Sequence, residues 1–317
     1  MRQVAIFDPS ITSNNLGDRI IMEAVMLHLT SLYPHDFFIH IGTHDPVGRV
    51  GRTHARRADV AFVGGTNLLC SHWLYHRQWR IGLSDFWRIG HPVLMGVGWQ
   101  GYQPPADISA AILLRWMLSK RYLHSVRDSY TESHLRAIGI HNVINTGCPT
   151  MWDLNEEHCA GIPGGRAQDA LITVSFYRPA AELDRQWINL VRRHYRKVYF
   201  WPQTPADLRY VGKVTGAGLE VLAPSLKAFD TVLSRPDVDY IGTRLHAGIR
   251  AIQHKRRALI IEVDNRAAEI ARDTRLPTMR RDDPGTLARW IDEQTPTTIS
   301  LPLENIARWK AQFNAND

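Results

Sequence analysis

The chain has little cysteine and no long apolar run. Three cysteines occur among 317 residues, and no two of them show CxxC spacing. An odd number without that spacing indicates neither a disulfide framework nor a zinc site. No segment approaches the ~20 uninterrupted apolar residues that a membrane helix needs. The first residues enter a strand-like segment at once, without a signal-peptide core. We therefore expect a cytoplasmic protein with no transmembrane segment.

Several enzyme motifs are also missing. The sequence contains no GxxxxGK[ST] phosphate loop, no HExxH zinc motif and no GxSxG nucleophile elbow. The segment before the first predicted helix is not a GxGxxG fingerprint, so it does not indicate a dinucleotide site. The histidines between positions 40 and 76 lack the compact spacing with carboxylates that metal sites show. We predict neither a metal nor a cofactor.

Positive charge exceeds negative charge, and the excess lies in the second half. Of a net charge of +7, residues 1–165 contribute 14 Lys and Arg against 13 Asp and Glu, and residues 166–317 contribute 24 against 18. The basic residues are dispersed, and no basic tract is interleaved with aromatic residues. A basic excess is typical of proteins that bind nucleic acid, an anionic membrane surface or an acidic small substrate, and the dispersed pattern argues against nucleic acid.

Strand-like and helix-like segments alternate along both halves. Such alternation predicts mostly parallel sheets covered by helices on both faces. A turn-rich segment at 161–169 separates two such series. We predict two open Rossmann-like α/β/α domains facing a cleft, with a GT-B-like architecture. Their ranges are 1–165 and 166–317, and a C-terminal helix at 304–313 belongs to the second. Segment 43–58 matches no regular element and is predicted as a loop.

The most informative segment is the predicted strand-to-helix turn at 239–249. The strand breaks at Gly242, the helix restarts near Ala247, and Arg244 and His246 lie between them. A helix amino terminus directs unpaired N–H groups and a partial positive charge toward one point. A guanidinium and an imidazole added there make an anion site with a proton donor beside it.

A second polar cluster follows the next predicted strand, at 262–266. Ligands in open parallel sheets bind outside the carboxyl ends of the strands, so both clusters should open onto one crevice if the strands are neighbours. Asp264 or Asn265 is also a suitable helix N-cap. Capping does not explain Arg266.

Four loops in the first half also follow predicted strands. They are 14–18, 64–67, 96–99 and 125–128, and three of them contain glycine. Glycine lets the backbone approach a ligand closely, and Arg127 can hold a carboxylate or phosphate by two hydrogen bonds. For each glycine taken alone, the better explanation is that it only allows the backbone to turn. Together the loops predict a ligand-binding face.

These residues resemble the polysaccharide pyruvyl transferase family from one end of the chain to the other. The matching segments, in order, are Asn15-Leu16-Gly17-Asp18, Gly64-Gly65-Thr66-Asn67, Gly96-Val97-Gly98, Val126-Arg127-Asp128, Gly147-Cys148-Pro149, Arg244-Leu245-His246 and Asp264-Asn265-Arg266. The family has a Gly-Asp-Pro-like segment where this chain has cysteine at position 148. The resemblance implies transfer of a pyruvyl group from phosphoenolpyruvate to a sugar, forming a ketal and releasing phosphate, without a metal or nucleotide cofactor.

The resemblance also implies roles for individual residues. His246 would be the general acid, Arg244 a clamp on the donor, and Asp18 or Asp128 the group that orients or deprotonates the acceptor hydroxyl. The residues predicted to bind the donor are Arg127, Arg244, Gly242, Thr243, Asn265 and Arg266. The residues predicted to bind the sugar or glycan acceptor are Asn15, Gly17, Gly65, Thr66, Asn67, Trp99 and Asp128. Glycan precursors linked to a membrane lipid would add a peripheral membrane contact.

Two other functions fit the same architecture. The first is a glycosyltransferase with a nucleotide-sugar donor, since the same fold hosts different functions. In that enzyme Arg244 would bind the diphosphate, and Glu262 or Asp264 would contact the ribose. A sugar-binding protein without catalytic activity would need neither the arginines nor the histidine.

Overall fold

A computed structural model of the chain describes residues 1–74, 78–82, 85, 87–216 and 218–314. Within these ranges the strands form two six-stranded sheets, and neighbouring strands pair in parallel. This confirms the predicted α/β class with parallel sheets. No helix in the described part of the chain is long and apolar enough to cross a membrane.

The first sheet has the strand order β2-β1-β3-β4-β5-β6. Its elements in chain order are β1 Gln3–Asp8, α1 Leu16–Leu32, β2 Phe37–Gly42, α2 Arg49–Arg57, β3 Val60–Leu69, β4 Val93–Trp99, α3 Ile108–Met117, β5 His124–Val126, α4 Ser129–Ala137 and β6 Val143–Asn145.

The second sheet has the order β12-β11-β10-β7-β8-β9 and follows the short helix α5, Glu156–Ala160. Its elements are β7 Asp169–Thr173, α6 Ala181–His194, β8 Lys197–Phe200, α7 Pro205–Thr215, β9 Glu220–Val221, α8 Leu226–Leu233, β10 Val238–Gly242, α9 Leu245–Gln253, β11 Ala258–Glu262, α10 Asn265–Thr274, β12 Thr278–Arg280 and α11 Pro284–Asp292. The last helix is α12, Leu303–Asn314.

The chain divides into two compact units. Unit 1 comprises Met1–Ser13, Ile21–Trp152 and the segment from Leu301 onward, and unit 2 comprises Asn14–Ile20 and Asp153–Ser300. This division differs in three places from the expected ranges of 1–165 and 166–317, and the first is that residues 153–165 belong to unit 2. Residues 14–20 belong to unit 2, and α12 belongs to unit 1.

The packing of α12 explains its place in unit 1. Its apolar residues Ile306, Trp309 and Phe313 join the core on one face of the first sheet. There the centroids of the Phe313 and Phe62 rings lie 5.1 Å apart. Sequence order alone placed this helix with the second sheet, but its apolar face packs on the first.

Alternation along the strands of unit 1 supplies a core on each face of its sheet. Val4, Ile6 and Phe62 point to the face covered by α1 and α12. Their strand neighbours, such as Phe7 and Val63, point to the opposite core, which includes residues of α3. Because successive strand side chains face opposite ways, strands buried on both faces are apolar throughout.

The order of strands in unit 2 creates a switch point. From β7, the chain continues to β8 on one side, while β10 pairs with β7 on the other side. In open α/β sheets, a crevice that binds ligands lies outside the carboxyl ends of the strands at such a point. In unit 2 this is the end of β7 and β10, at Thr173 and Gly242.

Three helices depart from the sequence expectations, and one of them is the short helix α5, which was not predicted. The predicted loop 43–58 contains α2, whose only buried side chain among its described residues is Ala55. With so little apolar surface, the helix has no periodicity that would predict it. Helix α7 was not predicted either, although Pro205 follows the N-cap Thr204 and Asp207 completes a capping box.

Candidate active site

Polar residues gather at the carboxyl ends of four neighbouring strands in unit 2. Beyond β7 lie Ser175 to Tyr177, beyond β8 lie Gln203 and Thr204, beyond β10 lie Thr243 to His246, and beyond β11 lie Asp264 to Arg266. These strands are adjacent in the order β11-β10-β7-β8. The expectation that the clusters at 242–246 and 262–266 follow neighbouring strands is therefore met.

Arg244 is held rigidly by a carboxylate on α7. Its Nε donates to Asp207 Oδ2 at 3.1 Å, and its Nη2 donates to Asp207 Oδ1. Both side chains are buried. Asp207 also accepts hydrogen bonds from the backbone N–H groups of Thr204 and Phe176, at 3.0 and 3.1 Å. A bidentate pair with such support fixes the direction of the guanidinium.

Tyr177 brings this guanidinium together with a second one. The Arg244 guanidinium carbon lies 4.4 Å from the centroid of the Tyr177 ring, within cation–π range. Tyr177 also interacts electrostatically with Arg266, as does Asp18. Arg244, Tyr177, Arg266 and Asp18 therefore form one polar cluster, which we call the arginine cluster.

Arg266 remains charged in this setting. Its Nε donates to Asp264 Oδ2 at 2.9 Å, and its Nη2 donates to the same oxygen at 2.5 Å. Burial lowers the pKa of Arg266, but the charge and hydrogen bonds of Asp264 raise it above its usual value overall, helped by Tyr177 and Asp18. Asp264 also caps α10 by accepting from the Arg266 N–H at 3.0 Å.

His246 and Asn265 are buried in the first turns of α9 and α10. His246 is the second residue of α9, whose N-cap is Arg244. Asn265 is the first residue of α10, and neither its amide nitrogen nor its amide oxygen has a hydrogen-bond partner among the described residues. Leaving a buried polar group unpaired costs about 1–3 kcal/mol, so such an amide is a candidate for binding a ligand.

The loop before α1 belongs to this same unit. The Gln203 amide nitrogen donates to Asn15 Oδ1 at 2.7 Å, and the Leu16 N–H donates to the Gln203 carbonyl at 3.1 Å. Gly17 has no room for a side chain, because a Cβ there would lie 2.6 Å from the Gln203 amide nitrogen. The close approach explains glycine at position 17 and brings Asp18 to the arginine cluster.

Gly242 and Thr243 have structural duties at the switch point. A Cβ on Gly242 would overlap the backbone of Thr173, at 2.6 Å from its carbonyl oxygen. The Thr243 hydroxyl accepts a hydrogen bond from the Ser175 N–H at 2.6 Å. Both residues hold the ends of β7 and β10 together, and this contact shapes the turn that carries Arg244.

In unit 1, Arg127 forms its own buried cluster. Its Nε donates to Asp128 Oδ2 at 3.0 Å, and its Nη2 donates to Asn67 Oδ1. Its Nη1 has no hydrogen-bond partner in the described part of the chain. Asp128 caps α4 through the Thr131 N–H at 2.7 Å. The close approach of Gly98 to the guanidinium leaves no space for a Cβ there.

Trp99 and Thr66 are buried near this cluster. The Trp99 indole stacks on His134 at 4.7 Å, and its Nε1 donates to Ser71 Oγ at 3.1 Å. The fully buried indole offers no open face to a sugar. Thr66 has a φ of +86°, which is strained for a β-branched residue, and β3 changes register between Thr66 and Leu69. Gly65 is packed against Ile21, 2.9 Å from where a Cβ would stand.

Cys148 occupies the position of the acidic residue in the Gly-Asp-Pro-like segment of the polysaccharide pyruvyl transferase family. Burial raises the pKa of Cys148, and the thiol accepts a hydrogen bond from the Thr150 hydroxyl at 3.1 Å. A neutral thiol cannot take over the duty of a carboxylate.

One GxGxxG pattern was missed in the sequence, at Gly96-Val97-Gly98-Trp99-Gln100-Gly101. It begins within β4 and continues past its end, but the next helix, α3, begins only at Ile108. In the dinucleotide fingerprint the glycines open the helix itself. Gly96, at a φ of +66°, instead packs against Pro149. The pattern therefore does not mark a dinucleotide site.

The predicted residues fall into two groups. Asn15, Gly17, Asp18, Gly242, Thr243, Arg244, His246, Asn265 and Arg266 belong to unit 2, whereas Gly65, Thr66, Asn67, Trp99, Arg127 and Asp128 belong to unit 1. Arg127 and Arg244 were both predicted to bind the donor, but Arg127 lies in unit 1 and Arg244 in unit 2. Asn15 and Gly17 were grouped with the first-half loops and lie in unit 2.

Sequence reasoning missed three contributors, Tyr177, Gln203 and Asp207. Tyr177 and Gln203 closely follow strands of the second sheet, so the strand-end rule that found Arg244 would also have found them. Asp207 lies in α7 and could be found only together with that helix. No group of three or more His, Cys, Asp or Glu side chains in the described ranges is arranged to hold a metal ion.

Comparison with known proteins gives a family and a fold. The family model described as polysaccharide pyruvyl transferase matches residues 15–265. No curated protein matches. The solved UDP-GlcNAc 2-epimerase of Methanocaldococcus jannaschii aligns with 98% of this chain and 100% of its own, at 11% identity and a TM-score of 0.55. The S. aureus MnaA–UDP co-structure aligns with 100% and 89%, at 11% identity and a TM-score of 0.52. These similarities support the predicted GT-B-like fold class, and at this identity they carry no information about substrate.

Proposed function

Because the chain belongs to the polysaccharide pyruvyl transferase family, we propose that it transfers the pyruvyl group of phosphoenolpyruvate to a sugar, forming a ketal and releasing phosphate. The observation that carries this proposal is the arginine cluster beside the first turns of α9 and α10. Two guanidinium groups, His246 and the unpaired amide of Asn265 follow adjacent strands at the switch point of unit 2.

Phosphoenolpyruvate matches this set of groups. It carries a carboxylate and a phosphate close together, and Arg244 and Arg266 supply two fixed positive charges. The first turns of α9 and α10 add N–H groups that favour anions. Pairing with Asp207 and Asp264 directs both guanidinium groups before substrate arrives, so little reorganisation is required on binding.

The reaction requires one proton at carbon and two carbon–oxygen bonds. His246 donates a proton to the C3 methylene, which becomes a methyl group and leaves an oxocarbenium-like C2. One sugar hydroxyl attacks C2, and the C2–O bond to phosphate then breaks. The second hydroxyl attacks the new cation and closes the ketal. One hydroxyl proton restores His246 and the other leaves with phosphate.

The remaining residues serve the donor or the acceptor. Arg244 and Arg266 stabilise negative charge on the departing phosphate. Asp18, within the electrostatic reach of Arg266, orients or deprotonates the first hydroxyl. Within unit 1, Asn67 and Asp128 are the residues that we propose to bind the sugar. No metal or nucleotide cofactor enters this scheme.

Phosphate release from phosphoenolpyruvate, measured across a panel of nucleotide-linked and lipid-linked sugars, tests the proposal. We expect phosphate only with an acceptor, and in D2O we expect one deuterium in the ketal methyl group. Deuterium there reports proton delivery to C3. Absence of phosphate release with every acceptor would contradict the proposal. Stabilisation by a nucleotide sugar but not by phosphoenolpyruvate would instead support a glycosyltransferase.

A further inference from the structure

Helix α3 exposes an apolar ridge. Ile108, Ile112 and Trp116 are spaced four residues apart and are 79%, 43% and 55% exposed. Residues four apart lie on one face of a helix. The opposite face, with Leu113 and Leu114, is buried in the core of unit 1. The ridge is therefore a surface feature that the fold of unit 1 does not use.

A second exposed tryptophan extends this ridge. Trp87 is 70% exposed, and its ring meets Trp116 edge to face with centroids 5.0 Å apart. Both line a cavity of about 650 Å³ at the starts of β3, β4 and β5. A neighbouring cavity of about 420 Å³ shares Trp116. Exposing the large apolar surface of tryptophan to water is unfavourable in free energy. Two exposed tryptophans in contact therefore indicate a surface that binds a partner.

The surroundings of the ridge are basic. Among the described residues that line the two cavities, Arg56, Arg115, Lys120 and Arg121 carry positive charge, and Asp59 is the one carboxylate. Asp59 already accepts a hydrogen bond from the Gln3 N–H at 2.7 Å. Tryptophan beside lysine and arginine is the combination found where proteins meet the headgroup region of a bilayer.

We propose that Ile108, Ile112, Trp116 and Trp87, with the basic residues around them, dock the protein on an anionic lipid surface. We call this set the lipid-facing patch. The proposal rests on the proposed function in one respect, namely that the sugar acceptor is carried by a membrane lipid. The apolar side chains enter the headgroup boundary, and the arginines and Lys120 pair with lipid phosphates.

The direction of α3 connects the patch with the acceptor residues of unit 1. The helix returns from the carboxyl end of β4 to the amino end of β5, so Ile108 lies at the carboxyl edge of the sheet and Trp116 at the amino edge. The ridge is about 12 Å long at 1.5 Å per residue. Asn67 and Asp128 lie at the carboxyl edge, where β3 and β5 end. A bilayer along α3 therefore presents lipid-linked sugars to the edge that carries these residues.

Co-sedimentation with vesicles tests the patch. Phosphatidylcholine vesicles with and without phosphatidylglycerol serve as probes. We expect the intact protein to bind the anionic vesicles. Trp87→Ser combined with Trp116→Ser should weaken binding at least about tenfold, because each tryptophan buries a large apolar area. Arg115→Gln with Lys120→Gln should weaken binding to anionic vesicles about tenfold and leave binding to neutral vesicles unchanged.

Matched controls use exposed residues of the same chemistry elsewhere. Leu208→Ser with Leu303→Ser removes two exposed apolar side chains, and Lys213→Gln with Lys227→Gln removes two exposed charges. We expect both controls to bind like the intact protein. Equal loss in the controls, or no loss in the patch variants, would overturn the proposal.

If the lipid-facing patch binds something other than a lipid surface, the experiments give different results. Each of those results would overturn the proposal. A change from dimer to monomer in the tryptophan variant, seen by size-exclusion chromatography, would make the patch an interface between copies. Binding of an acidic oligosaccharide without binding of vesicles would make it a glycan site.

Activity separates this proposal from the proposed function. The tryptophan variant should lose phosphate release with a vesicle-borne acceptor and keep it with a water-soluble one. Equal loss with both acceptors would contradict the patch. If no acceptor supports phosphate release in the intact protein, the proposed function fails, while vesicle binding still decides the patch.

Discussion

At the scale of single residues, the Arg244–Asp207 pair determines the geometry of the candidate site. Both side chains are buried, and Asp207 is tied to the amino terminus of α7 through Thr204. A buried charge pair of this kind gives little net stability, but removing one partner is costly because the other charge stays unpaired. We therefore infer that the main role of the pair is to fix the orientation of the Arg244 guanidinium group.

Asp207→Asn should destabilise the protein by about 3–5 kcal/mol, because it leaves the Arg244 charge buried against a neutral amide. Denaturant unfolding measures the change. Asp282→Asn is the control, since Asp282 pairs with Arg280 on the exposed surface and should give no measurable difference. Equal changes in the free energy of unfolding for the two substitutions would show that burial of the Arg244–Asp207 pair does not make the loss of Asp207 costly.

Asn265→Ala should raise stability by roughly 1–2 kcal/mol, because it removes a buried amide that finds no hydrogen-bond partner in the described part of the chain. The same substitution should weaken binding of phosphoenolpyruvate. Asn142→Ala provides the comparison, since the Asn142 amide donates to the Ser119 and Tyr122 carbonyls at 2.9 and 2.7 Å. That variant should lose stability and keep donor binding. A loss of stability in Asn265→Ala would mean that the amide is satisfied in solution.

Gly98→Ala should destabilise unit 1 by about 1–3 kcal/mol, because its methyl group would displace the buried Arg127 guanidinium. Gly212→Ala, in α7 with open space around it, should instead stabilise by about 0.4–1 kcal/mol. Thermal unfolding of the two variants gives shifts of opposite sign. Shifts of the same sign would show that Arg127 yields easily to a side chain at position 98.

At the scale of elements, regular alternation made most strands and most helices predictable. The missed helices show where that signal ends. Helix α2 has one buried side chain among its described residues and therefore no apolar face to detect. Helix α7 was missed despite its capping box, and Asp207 was missed with it. Arg244 could be found because it closely follows a strand, whereas its partner Asp207 lies on a helix that was not predicted.

The short strand β5 contains a histidine that makes stability depend on pH. Burial lowers the pKa of His124 from its usual value of 6.5 to about 4, although the bond to the Ser119 carbonyl raises it slightly. Nδ1 accepts from the Leu94 N–H at 3.2 Å, and Nε2 contacts the Ser119 carbonyl at 2.8 Å. The neutral ring satisfies both contacts, and a protonated ring would lose the first.

Because the folded-state pKa of His124 lies below the unfolded value, its contribution is complete above pH 6.5 and declines as the pH falls toward 4. The full loss is about 3 kcal/mol. Unfolding experiments from pH 7 to 4 should show this decline in the wild type and in His35→Gln, an exposed control. They should show less decline in His124→Gln. An unchanged slope in His124→Gln would place the pH dependence elsewhere.

At the scale of the whole molecule, the division into units could not be read from chain order. Residues 14–20 join unit 2 through contacts with Gln203, and α12 joins unit 1 through Trp309 and Phe313. Both cases depend on packing between segments far apart in the chain. The fold class itself was predictable, because both halves repeat the same strand–helix alternation and a parallel sheet follows from it.

The family and the arginine cluster together lead to one central claim, that His246 delivers a proton to phosphoenolpyruvate held by Arg244 and Arg266. The most direct test is phosphate release by His246→Ala, with donor binding followed by thermal shift. His194→Ala is the matched control in the same unit. We predict that His246→Ala loses phosphate release, by about 100-fold or more for a missing general acid, and keeps the stabilisation by phosphoenolpyruvate. Phosphate release at the wild-type rate in His246→Ala would contradict the claim.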